Sequence, residues 1–286
     1  MGCGFGATAC GSYCYAQFLP VWTTRRAGVG WGERVLVKEN LPDVLAVELG
    51  KMTAGARERL RIFFSPVTDP YQPVEARHGV SRAALETLRS QGAVDLVLVQ
   101  TRSPLVERDF SLLLGMDEAV LSLTVETDDE ALIRRLGGGP LPSRRLLTAS
   151  RAVHAGMTVQ ITVSPCLPYS DAFASRLIDT GVTRFVVDTV VDGDGAGGAR
   201  TARGRYGREP EWDRRDHALA LMEALKMEAL TSRGVTAGFS AEGFGSVPGR
   251  RASAHADVTP PSLTSPRVSR YPTRPSPRSG LRNPPP

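Results

Sequence analysis

The sequence predicts an α/β fold in which parallel strands are covered by helices, either as an open doubly wound sheet or as a barrel. Three observations predict it. Short, β-rich apolar runs alternate with segments of helical spacing between residues 60 and 191. The runs are nearly continuous in apolar residues, as expected of strands buried on both faces. Polar residues collect at the C-terminal ends of the runs, where both architectures place their sites.

The first run is LRIFFSPV, residues 60–67, and the helical segment SRAALETLRSQG follows at 81–92, stopping at a glycine. DLVLVQT (95–101) is the second run and PLVERDFSLLLG (104–115) its helix. AVLSLTV (119–125) leads to DDEALIRRLG (128–137), whose acids in the first turn and arginines in the last suit the helix dipole. SRRLLTASRAVHAG (143–156) is a longer helix. TVQITVSP (158–165), the helical SDAFASRLIDTG (170–181) and RFVVDTVV (184–191) complete five strands. The loop DGDGAGGARTARGRYG (192–207) is glycine-rich, and its aspartates do not match an EF-hand spacing. EWDRRDHALALMEALKMEALTSRG (211–234) reads as one amphipathic helix.

The chain of 286 residues has a net charge of +5, yet residues 249–286 carry seven arginines against one acid, Asp257, and nine prolines. The rest is close to neutral. Such a tail buries too little apolar surface to offset its ordering entropy. The expected organisation is an α/β domain over 1–235 and a disordered Pro/Arg-rich tail over 236–286. Arginines there give nucleic acid its only support as a partner; a solvated tail is the plainer reading. Eighteen consecutive apolar residues occur nowhere, and no charged segment precedes an apolar run near the start. The expectation is a cytoplasmic protein with no membrane partner, in which clustered thiols bind metal or catalyse.

Three of the four cysteines fall in the first fourteen residues, at Cys3, Cys10 and Cys14. Three thiolates on one glycine-rich loop can share one metal centre, and iron–sulfur clusters are held this way. Zinc is the alternative, although a structural zinc site wants four ligands and paired knuckles. A loop without metal is the third reading. The four histidines are scattered, and no phosphate loop or dinucleotide fingerprint is present.

CGSYCYAQFLP (10–20) resembles the cluster loop of radical S-adenosylmethionine (SAM) enzymes, in which an aromatic residue precedes the last cysteine, as Tyr13 precedes Cys14. VKENLPDVL (37–45), SPVTDPYQPVEARHGVSRAALETL (65–88), TRSPLVERDFSLL (101–113) and VLSLTVETDDEALIRRL (120–136) resemble successive segments of the spore photoproduct lyase-like branch, TDPYQP (68–73) most specifically. The resemblance implies a partial (β/α)6 barrel of the radical SAM type. It also implies a [4Fe–4S] cluster on Cys3, Cys10 and Cys14, and S-adenosylmethionine as co-substrate. The implied reaction is reductive cleavage to a 5′-deoxyadenosyl radical that abstracts hydrogen from a substrate the sequence does not name. The electron donor would be of the flavodoxin or ferredoxin class.

Ser65, Thr68 and Asp69 match positions for the amino end of SAM. Arg102 matches a residue that meets its carboxylate, and Ser122, Thr124 and Glu126 match ribose contacts. Cys166, at the end of the fourth run, is the candidate thiol facing the radical. Three departures accompany the resemblance. The cysteine spacing is wider than the family's, the barrel's first strand is missing before the cysteines, and no thiol precedes Asp69 as in spore photoproduct lyases proper. The DNA-repair reaction is therefore not carried over. The rival expectation is a truncated or degenerate non-catalytic paralogue with a structural iron–sulfur or zinc site.

Overall fold

Six parallel strands lie side by side in chain order, β1 Arg61–Phe64, β2 Leu96–Thr101, β3 Ala119–Thr124, β4 Val159–Val163, β5 Arg184–Val187 and β6 Thr236–Phe239. The structure is a computed structural model that describes residues 2–23, 28–64, 66–92, 94–203, 215–231, 234–247 and 249. All of these lie in one unit, residues 1–254. The expected strands β1 to β5 are present, each trimmed at its C-terminal end or equal to the apolar run within a residue or two. The fifth stops at Val187 because Val190–Gly193 turns into a short helix capped by the Thr189 hydroxyl.

Helices α1 Leu41–Gly50, α2 Val80–Ser90, α3 Phe110–Leu114, α4 Glu130–Leu136, α5 Pro142–His154, α6 Phe173–Ile178 and α7 Arg215–Thr231 surround the sheet. Segment 104–115, expected as one helix, is a 3-10 stretch Pro104–Asp109 followed by α3. The Asp129 side chain accepts from Leu132 N at 2.9 Å and caps α4, and Arg134 and Arg135 occupy its last turn. Side chains alternate across each strand. Val97, Val99, Leu121, Leu123, Ile161, Val163, Phe185 and Val187 point to one face, where they join the main core under the helices.

The other face carries an apolar patch at one end. Leu96, Leu98 and Val120 pack there with Val247 and the partly buried Phe244. Val247 follows α8, Ser240–Gly245, which leads the chain from β6 back across the sheet. Arg184 Nη2 donates to Gly243 O at 2.8 Å, Arg61 Nη2 donates to Val247 O at 2.5 Å, and the Phe63 and Phe244 rings stack at 6.1 Å. Farther along the same face runs a polar row. Gln100, Ser122, Gln160 and Arg184 are register partners on β2 to β5.

The boundary expected at residue 235 needs correction, since β6 and α8 occupy 236–245. The strand TAGF is four residues long and contains Gly238, so no apolar run announces it. The glycine is required: a Cβ on Gly238 would stand 2.6 Å from the Cα of Gly243 in α8. The arginine- and proline-rich residues beyond 249 lie outside the described residues. No strand precedes Cys3 among the described residues, and β1 pairs only with β2. No described helix is long and apolar enough to cross a membrane.

Candidate active site

The cysteine loop caps the C-terminal ends of the strands. It is built from three 3-10 turns, Gly4–Ala7, Ala9–Ser12 and Tyr15–Phe18. Its glycines let these turns touch: a Cβ on Gly11 would stand 1.8 Å from the carbonyl oxygen of Gly6. Four of the bonds that tie the loop to the domain are donated by Gly4, Ala9, Ser12 and Tyr13. Gly4 N donates to Gln72 Oε1 at 2.7 Å, Ala9 N to Gly138 O at 2.9 Å, and the Ser12 hydroxyl to Leu136 O at 3.1 Å. The fourth is the Tyr13 hydroxyl, which donates to Glu126 Oε1 at 2.8 Å across 113 residues of sequence.

Cys3 and Cys10 are buried, Cys14 is half-buried, and all are free thiols. The Cys10 and Cys14 side chains hydrogen-bond to each other. This bond, helped by the Arg102 guanidinium, holds Cys10 below its usual thiol range against the opposing effect of burial. The same bond, with burial, pushes Cys14 well above it. Burial, then the charges of Cys10 and Asp69, raise Cys3 to about 12.

Glu126 is fully buried beyond the end of β3, and burial alone would raise its pKa. Arg102 and Arg145 outweigh that and hold the carboxyl down to about 2. Arg102 Nη1 donates to Glu126 Oε1 at 2.5 Å and to the Tyr13 hydroxyl at 3.1 Å. Arg145, from α5, donates to Glu126 Oε2 and, at 2.8 Å, to Thr124 O. Cys10, Tyr13, Cys14 and Arg102 share with Thr189 and Thr201 a pocket of about 90 Å³.

The structure thus brings Cys10, Cys14, Arg102 and Glu126 together. The other expected site residues stand differently. Asp69 Oδ1 accepts from Thr101 Oγ1 at 2.6 Å and from Tyr71 N at 2.8 Å, while Oδ2 accepts from Arg102 N at 2.9 Å. Its carboxylate therefore ties the end of β1 to the end of β2. Burial raises its pKa despite these donors. Thr68 and Asp69 line a second, larger groove of about 510 Å³ along β1. Ser122 bonds to Thr162 Oγ1 at 2.7 Å and accepts from Gln160 Nε2 at 3.1 Å, within the polar row. Thr124 is buried, and its carbonyl serves Arg145. Ser65 lies outside the described residues. Cys166 is in the main core, with its thiol pushed up to about 12 by burial.

Three participants were missed by sequence reasoning. Arg145 leaves a trace: it shares the buried face of α5 with Pro142, Ala149 and Ala152, a charge where apolar spacing calls for none. Gln72 and the hydroxyl of Tyr13 leave none, because their partners are 68 and 113 residues away. The Asp-Gly loop also gains an explanation. The Asp194 carboxylate accepts from the backbone N–H groups of Ala196, Gly198, Arg200 and Thr201 and so organises its own loop.

Among the described residues no three His, Cys, Asp or Glu side chains converge as ligands of a single ion do. A four-iron cluster asks for something else, because each thiolate holds a different corner and the sulfurs stand apart. Three free thiols on one loop offer that donor chemistry.

The fold can be matched to solved structures. Spore photoproduct lyase complexed with a dinucleoside spore photoproduct superposes with a TM-score of 0.53 over 84% of this chain and 74% of that one. The fold is similar to that of spore photoproduct lyase. A mutant of that lyase with bound AdoMet and dinucleoside spore photoproduct gives the same TM-score. Sequence identity to the lyase is 15%, so the likeness carries the fold alone. No family model matches the chain. An uncharacterized protein of Mycobacterium tuberculosis is 30% identical over 162 residues, 54% of this chain and 46% of that protein. One of Methanocaldococcus jannaschii is 28% identical over 169 residues, 59% and 58% of the two chains. The chain spans about half the length of the curated relatives it matches.

Proposed function

We propose that the protein is a radical S-adenosylmethionine enzyme. The observation that carries the reading is the Cys10–Cys14 thiol pair set beside Arg102 on a loop whose Tyr13 is bonded to Glu126. Cys3, Cys10 and Cys14 would hold a [4Fe–4S] cluster. Bound there with SAM, the cluster supplies one-electron reductive cleavage and a carbon radical for hydrogen abstraction. The protein's own residues bind, orient and dry the site. Buried Glu126 and its partners fix the loop against the strand ends, and the Arg102 guanidinium favours the anionic form of Cys10. Arg102 also lines the pocket beside the cysteines, where a ligand carboxylate would meet it. Asp69 holds the Arg102 backbone in place for this. A low-potential donor of the flavodoxin or ferredoxin class supplies the electron.

Anaerobic reconstitution with iron and sulfide tests the reading. A brown protein with about four irons per chain is expected, lost in Cys14→Ala, together with slow release of 5′-deoxyadenosine from SAM under dithionite. A colourless protein carrying stoichiometric zinc would sink it. A full cluster with no SAM cleavage would favour the non-catalytic paralogue.

A further inference from the structure

Two guanidiniums meet one carboxylate at the centre of this site. Glu126 is fully buried, and the Arg102 and Arg145 side chains are 16% and 3% exposed. Each arginine takes its own oxygen, Arg102 Oε1 and Arg145 Oε2. Burying a second guanidinium is costly, and Arg145 is not fully compensated: its Nε is buried without a partner among the described residues. Hydrogen bonding to Glu126 by itself does not call for a charge here, since Arg102 and Tyr13 already satisfy Oε1 and a neutral donor from α5 would suffice for Oε2.

Electrostatics supplies a reason. With Arg102 alone, Glu126 would cancel the guanidinium charge. With Arg145 present, the three groups carry a net charge of +1, and Arg102, bonded to the Tyr13 hydroxyl at 3.1 Å, lines one pocket with Cys10 and Cys14. We infer that Arg145 is a positioning residue: by occupying Oε2 of Glu126 it leaves the Arg102 charge turned towards the cysteine loop and makes a reduced, more anionic cluster easier to form. The inference rests on the function proposed above. It assigns Arg145 no contact with cluster or SAM; its influence passes through Glu126.

The test is a redox titration of the reconstituted full-length protein, followed by electron paramagnetic resonance, with dithionite donating one electron per cluster. Arg145→Gln removes the charge and keeps a donor for Oε2. The ratio of reduced to oxidised cluster at a fixed ambient potential should fall about tenfold, equivalent to about 59 mV for a one-electron couple. Arg145→Lys, which restores the charge, should return most of it. Glu126→Gln should move the ratio the other way, and the double variant should lie between the two singles. A structural role alone would lower the melting temperature of Arg145→Gln and Arg145→Lys alike and leave the ratio within about twofold; that result overturns the inference. Should Arg145→Gln fail to assemble a cluster, Glu126→Gln decides: a shift of opposite sign to the one expected, or none, overturns it. An iron-free wild-type chain overturns the proposed function itself, and is told apart because no variant then carries a signal.

Discussion

Asp69 and Glu126 are two carboxylates in corresponding places, one just past the end of β1 and the other just past the end of β3. Both are buried and both touch Arg102, Asp69 through its backbone N–H and Glu126 through its guanidinium. Their environments push them in opposite directions. Asp69 is held by a hydroxyl and two backbone N–H groups, and burial wins, so its pKa rises. Glu126 is held by two guanidiniums and a phenol, and the charges win, so its pKa falls to about 2. The difference shows that position at a strand end does not fix the role of an acid. The partners do. Asp69 is a bracket between strands, whereas Glu126 is the anionic centre of a charge network that includes the cysteine loop.

The largest effect expected from this contrast is on stability. Glu126→Ala leaves two buried guanidiniums without their carboxylate, and breaking a buried pair in this way costs about 3–5 kcal/mol. Asp69→Ala forfeits hydrogen bonds from mainly neutral donors, and leaving those groups unsatisfied costs about 1–3 kcal/mol. Urea denaturation of the two variants measures both. Equal losses would show that Arg102 and Arg145 find other partners, and the contrast between bracket and charge centre would fail.

Acid sharpens the same comparison. The Glu126 carboxyl is lower in the folded state than its usual 4.5, so the stability it adds is fully present above that value. That contribution is lost as pH falls from about 4.5 to about 2. Asp69 has the opposite sign. Its folded pKa lies above 3.8, so its contribution is present below 3.8 and is lost as pH rises through the folded value. Urea midpoints between pH 6 and pH 2.5 should therefore fall less steeply in Glu126→Gln than in wild type, and more steeply in Asp69→Asn. Parallel curves for all three proteins would contradict the opposed shifts.

The strands were legible because each apolar run is buried on at least one face and bounded by polar ends. The hidden one, β6, is short and interrupted by Gly238, where close approach to Gly243 matters more than hydrophobic content. In the site, the cysteines announced themselves by their density, and Arg102 and Glu126 by their place at strand ends. Sequence reasoning did not reveal who would meet whom. Glu126 was expected to face a ribose, yet its oxygens meet Tyr13, Arg102 and Arg145. Such long-range pairings depend on how the loop and α5 fold over the strand ends, and no local spacing encodes them. Arg145 was detectable only as a charge out of place on a buried helix face.

The smallest effect expected concerns the fourth cysteine, and it separates two kinds of thiol environment. Cys166 follows β4 and packs in the main core with Phe173 and Leu177. It is 3% exposed, and burial pushes its thiol up to about 12. A buried thiol without a nearby cation behaves as a small hydrophobe and stays protonated across the working pH range. It is absent from the residues lining the pocket shared by Cys10 and Cys14. Cys166→Ala should therefore leave the iron content of reconstituted protein unchanged and cost about 1 kcal/mol of stability through the small cavity it opens. Cys14→Ala, by contrast, is expected to lose the iron under the proposed function. The pair of variants is read by iron analysis and by urea midpoints together. If Cys166→Ala also loses iron while its midpoint stays near that of wild type, the thiol reaches the centre after all, and the division between a core cysteine and a ligand loop collapses.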